Sequence, residues 1–97
     1  MMILIIREKA TPKQIEQMAQ TYVGLMIKLA VDVEKEILSG GGELHADCEQ
    51  VLLEDGSQQE HIWGADWYPE VRRVGFESLI NIRPRQQNRS MEIKDPV

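Results

Sequence analysis

Hydrophobic positions occur along this chain in three rhythms, unbroken, helical and alternating, and each predicts a kind of element. The unbroken one comes first. Met2-Ile3-Leu4-Ile5-Ile6, closed by Arg7, Glu8 and Lys9, predicts a strand over 2–7 that is apolar enough to be central and buried on both faces. Thr11-Pro12-Lys13-Gln14 then has the form of a helix start. The threonine hydroxyl can accept from the Gln14 amide, the glutamine can reach back, and Pro12 sits where no intrahelical donor is needed. Ile15, Met18, Ala19, Tyr22, Met26 and Leu29 follow at spacings of three or four, predicting one long N-terminal helix with a single buried stripe.

Beyond Leu29 two rhythms overlap, because Val33 and Ile37 continue the helical stripe while Val31-Asp32-Val33-Glu34 alternates as a strand does. The favoured reading is a strand over 30–38, turned by Ser39-Gly40-Gly41-Gly42 into a second strand at Glu43–Asp47. The competing reading is one helix that ends at Leu38 with the glycines as its stop. Asp47 and Gln50 repeat the capping pattern and predict a short helix over 48–54, with a hairpin through Asp55-Gly56 as the alternative. Alternation returns at 60–68, ended by Pro69, and again from Phe76 to Arg83, ended by Pro84. The tail 85–97 has no periodicity. The sum is an α+β fold in a single domain, 1–97, with a mixed or antiparallel sheet of about four to five strands packed against one long N-terminal helix plus a short second helix.

Composition changes this picture little: 97 residues, 42% hydrophobic and 28% charged, fit one globular core. Charge narrows the partners. The net charge of −5 repels polyphosphate, so nucleic acid is disfavoured. Residues 81–97 are the exception, with 4 of the 11 basic side chains and 2 of the 16 acidic ones. The apolar opening is too short to span a membrane and lacks the basic start of a signal peptide. With Cys48 as the sole cysteine, a reducing, cytoplasmic setting is the expectation.

Candidate chemistry collects in two places. In an extended segment Glu43, His45 and Asp47 share one face, and two carboxylates with an imidazole have the donors of a divalent-metal site or of a general base oriented by a carboxylate. His45 and Asp47 are the catalytic candidates, and Glu43, His45 and Asp47 the metal candidates. The plainer alternative makes Asp47 a helix cap. The second cluster, Asn81, Arg83, Arg85, Asn88, Arg89 and Ser90, offers guanidinium forks, amides and a hydroxyl for a carboxylate or phosphate. Trp63 is a stacking wall or a core residue, and Cys48 beside His45 reads as a small buried hydrophobe more readily than as a nucleophile.

Gly42-Glu43-Leu44-His45-Ala46-Asp47, Trp63-Gly64, Ile80-Asn81-Ile82-Arg83-Pro84 and Asn88-Arg89-Ser90, in this order, resemble a bacterial, largely cyanobacterial family of domains of unknown function. The resemblance implies no activity or cofactor; it implies an amphipathic helix beyond the equivalent of Asp95-Pro96. Three function classes follow. The first is a module binding a small anionic metabolite or a metal through Glu43, His45, Asp47, Trp63, Asn81, Arg83, Asn88 and Ser90. The second is a small hydrolase with His45 as general base. The third is an interaction domain that pairs through a sheet edge, as in a homodimer.

Overall fold

The computed structural model describes residues 3–82. Five strands, β1 (Leu4–Ile6), β2 (Ile27–Asp32), β3 (Ile37–Gly40), β4 (Ile62–Tyr68) and β5 (Arg73–Gly75), form one sheet in the order β1-β3-β2-β4-β5, and every neighbouring pair is antiparallel. Helix α1 (Pro12–Ala19) joins β1 to β2, and helix α2 (His45–Glu54) joins β3 to β4.

The topology explains where the helices lie. β1 and β2 both run antiparallel to β3, so they are parallel to each other and α1 is a crossover between them; β3 and β4 stand in the same relation across β2. Both crossovers step the same way along the sheet, but from strands of opposite direction. Since such crossovers are right-handed, α1 and α2 must cover opposite faces. They do. Met18 and Ala19 pack with Ile6, Ile27, Leu29 and Ala65 on one face, whereas Cys48 and Leu52 pack with Ala30, Ile37 and Ile62 on the other. Fully burying an aliphatic side chain such as Ile27, Leu52 or Ile62 contributes about 1.5–3 kcal/mol.

The start of α1 follows its sequence. Thr11 Oγ1 accepts from Gln14 N at 3.2 Å, and Gln14 Oε1 accepts from Thr11 N at 2.9 Å. Its length does not. After Ala19 the chain tightens into a 3-10 turn, Gln20–Tyr22, and then Val23 and Gly24 adopt left-handed φ values of 54° and 81°. Gly24 N donates to Ala19 O at 2.8 Å and closes the helix end. The apolar positions Met26 and Leu29, which continue the helical spacing, belong to the approach to β2 and to β2 itself.

Residues 30–38 are two strands rather than one. Asp32 ends β2, and its Oδ1 accepts from Glu34 N at 2.9 Å and Lys35 N at 3.0 Å, shaping a turn that passes through Glu36 at φ 57° into β3. Residues 43–47 are therefore not the partner strand, and the single helix to Leu38 does not form either. The short second helix begins three residues earlier than its capping pattern implies, at His45. β4 matches the alternation at 60–68, preceded by a 3-10 turn at Gln59–His61. The strand expected from Phe76 is replaced by β5 at Arg73–Gly75 and a 3-10 turn at Leu79–Asn81. β1 lies at an edge of the sheet rather than in its centre, with Leu4 and Ile5 only partly buried. Among the described residues no helix is long and apolar enough to cross a membrane.

Candidate functional site

Strand alternation places Lys28, Ala30 and Asp32 of β2, and Ile62, Gly64 and Asp66 of β4, on the face covered by α2. Lys28 and Asp66 are directly opposite in register. Their end of the sheet is where α2 begins, because the loop before the helix is tied down at three points. Gly41 N donates to Lys28 O at 3.3 Å, Thr21 Oγ1 donates to Gly41 O at 2.6 Å, and the Tyr22 hydroxyl donates to Glu43 O. Within α2, Asp47 Oδ2 accepts from Leu44 N at 3.2 Å, so this carboxylate closes the first turn from its third position.

His45, the first residue of α2, lies over β4. Its Nε2 is 2.8 Å from Asp66 Oδ1 and 3.1 Å from Ala65 O, and both side chains are about nine-tenths buried, at 12% and 11% exposure. Both neighbours of Nε2 are acceptors, so Nε2 carries the hydrogen; this fixes the tautomer of the neutral ring and leaves Nδ1 as its second, acceptor nitrogen. Asp66 itself is 8% exposed. A buried carboxylate gripping an imidazole holds that ring in one orientation.

The pair opens on a cavity of about 380 Å³, lined also by Met26, Lys28, Leu44, Ala46, Glu77, Ser78, Leu79 and Ile80. Most of these walls are aliphatic, and the polar groups gather at Lys28, His45, Asp66 and Glu77. The Lys28 ammonium lies 5.4 Å from the centroid of the Tyr22 ring, a cation–π contact that steers it. The far wall exists because residue 64 is glycine: a Cβ there would come 2.4 Å from Ser78 Cβ. Ser78 Oγ accepts from Ile80 N at 3.3 Å and caps the 3-10 turn.

Of the two sequence clusters, only His45 lines this cavity among the described residues. His45 and the residues just before Asn81 line one cavity, brought there by a helix start and a 3-10 turn rather than by adjacent strands. Asn81 lies beneath this wall, fully buried, with its side chain accepting from Gly64 N at 2.7 Å and donating to Gly64 O at 3.0 Å and Phe76 O at 3.2 Å. It is a staple of the chain onto β4. Glu43 is exposed in the loop, and helical geometry separates Asp47 from His45, so Glu43, His45 and Asp47 do not share a face. Among the described residues no three His, Cys, Asp or Glu side chains are grouped to hold a metal ion. Trp63, in register with Val31, belongs to the opposite face of the sheet. Arg83, Asn88 and Ser90, with Arg85 and Arg89, lie outside the described residues.

Cys48 is fully buried against Gly42, and its Sγ lies 3.4 Å from Lys28 O. Burial pushes its thiol up from the ordinary value, the Asp47 charge adds to this, and the Gly42 amide, Lys28 and Ser39 offset only part of it. That is the environment of a structural thiol, not of a nucleophile.

A family model described as "Protein of unknown function (DUF5674)" matches residues 4–97. The chain belongs to this family. Its DUF5674 match runs through every element of the sheet and every wall of the cavity. No curated protein and no solved structure matches the chain. Reasoning from sequence identified His45 but missed Asp66, Lys28 and Glu77. Asp66 did leave a signal, as an acidic residue between Ala65 and Trp67 in a strand otherwise free of charge.

Proposed function

We propose that this domain is a binding module for a small organic acid, held in the cavity between the start of α2 and residues 77–80. The observation that carries the reading is the His45–Asp66 pair, about nine-tenths buried and opening on a cavity of ligand size with the Lys28 ammonium at its side. An apolar pocket with a few convergent polar groups is the usual form of a metabolite site. The ligand's carboxylate would pair with Lys28, with the first amides of α2 at hand, while its hydrocarbon part lies along Met26, Leu44, Leu79 and Ile80. A thermal-shift screen of aliphatic and hydroxylated carboxylic acids tests it. At least one acid is expected to raise the midpoint, and Lys28→Met and His45→Ala to remove that shift while keeping the fold. A flat screen would reject the reading.

A second reading is favoured by the fixed tautomer of His45. A carboxylate-oriented imidazole whose other nitrogen is an acceptor is the pattern of a general base. Ser78 Oγ is engaged as a cap and Cys48 is sealed in the core, so the nucleophile it would activate is water. Hydrolysis of simple esters that is lost in both His45→Ala and Asp66→Asn would support this; turnover retained by His45→Ala would exclude it.

A further inference from the structure

The cavity is lined by charges of both signs. Lys28 and Glu77 both line it, yet among the described residues neither takes part in an ion pair; the Lys28 ammonium instead rests near the Tyr22 ring. Asp66 adds a second carboxylate, directly across from Lys28 in register and shared with His45. A ligand with a single charge is badly matched to such a site. A plain carboxylate gains Lys28 but meets Glu77 and Asp66, and a plain amine gains the carboxylates but meets Lys28. Like charges brought together in a partly desolvated pocket cost binding, and opposite ones favour it.

From this charge pattern we infer that the ligand is a zwitterion with an apolar side group, an aliphatic α-amino acid. Its carboxylate faces Lys28, its ammonium faces Glu77 and Asp66, and its side chain lies against Met26, Leu44 and Leu79. The cavity of about 380 Å³ is at the lower end of the range for small-molecule pockets, which suits one amino acid better than a nucleotide or a long peptide. The inference rests on the reading of this cavity as a binding site and adds an ammonium to the carboxylate already proposed.

Titration calorimetry of the full chain with three matched compounds tests it: L-leucine, 4-methylpentanoate, which lacks the amine, and 3-methylbutylamine, which lacks the carboxylate. Leucine is expected to bind at least about tenfold more tightly than either analogue, the worth of one charge-assisted contact. Glu77→Gln, at an exposed side chain, is expected to bring leucine down toward the affinity of 4-methylpentanoate. If the acid binds as well as leucine, the zwitterion is overturned and the organic-acid module stands. If only the amine binds, or if none of the three binds and other carboxylic acids are also silent, both are overturned. If none of the three binds while another carboxylic acid does, the amino-acid inference alone falls.

Discussion

Two buried polar side chains do more for this molecule than their charge or size suggests. Asn81 supplies three hydrogen bonds to main-chain groups of Gly64 and Phe76. Asn81→Ala leaves those partners unsatisfied and is expected to destabilise the fold by about 3 kcal/mol or more, read as a lower urea midpoint at an unchanged slope. A change under 1 kcal/mol, with lost ligand binding instead, would return Asn81 to the role of ligand contact. Asp32 is the second case. Burial works against its charge, but the Lys35 amide, the Ser57 hydroxyl, the Glu34 amide and the nearby His61 together outweigh this and hold its carboxyl below the ordinary value of 3.8. Ser57 contributes outside strict hydrogen-bond geometry, for Ser57 Oγ and Asp32 Oδ2 are both buried without a well-aligned partner. A folded value below the unfolded one means the carboxylate stabilises the fold above the unfolded value, and that this contribution is lost as pH falls through the folded one. Asp32→Asn should therefore be less stable than the parent at pH 7, with the gap closing below pH 3.8; a gap constant from pH 7 to pH 2 would contradict this.

At the scale of elements, the end of α1 is the most instructive. Val23 is 86% exposed and holds a left-handed φ of 54°, a conformation that a β-branched residue adopts only under strain. Val23→Asn keeps a side chain that tolerates this region and loses almost no burial, so it is expected to stabilise the domain by about 1 kcal/mol, seen as a higher unfolding midpoint. The same turn shows why the chain was only partly legible. The start of α1 could be read because its cap is local, four consecutive residues that satisfy one another. Its end could not, because Tyr22, Met26 and Leu29 fit the helical spacing by coincidence and Gly24 was the only stop signal. β4 was readable from its alternation. β5 and the turn at Leu79–Asn81 were not: β5 is three residues long and mostly exposed, and the turn is placed by the missing Cβ of Gly64 and by Asn81, contacts 14 to 17 residues apart. The site followed the same division. His45 stood out as one of two histidines, but its partner Asp66 lies 21 residues away and Lys28 reaches the cavity only through the pairing of β2 with β4.

Over the whole molecule the sheet is shielded by a helix on each face. Cys48 has no exposed surface, and burial raises its thiol above the ordinary value. A disulfide exchange reagent is accordingly expected to label the native protein only as fast as α2 opens, and any ligand that fills the cavity should slow that labelling further. Rapid stoichiometric labelling of the folded chain would show that α2 is not seated as described. By contrast, the ion pair of Arg7 with Asp55, at 2.7 Å but with Arg7 57% exposed, contributes at most about 1 kcal/mol to holding β1 near the end of α2.

The pairing of β1 with β3, and of β2 with β4, also sets an order of events as the chain leaves the ribosome. The β2–β3 hairpin, closed by the turn at Asp32, and the β4–β5 hairpin join neighbours in sequence; β1 must wait for residues 37–40, and β2 has no second partner until 62–67 are made. The cavity waits longest. Its walls run from Met26 to Ile80, so a nascent chain that has already folded its β2–β3 hairpin and seated α2 still has no site, and the pocket comes into being only when the turn at Leu79–Asn81 is held on Gly64. Binding would then report that this turn is in place.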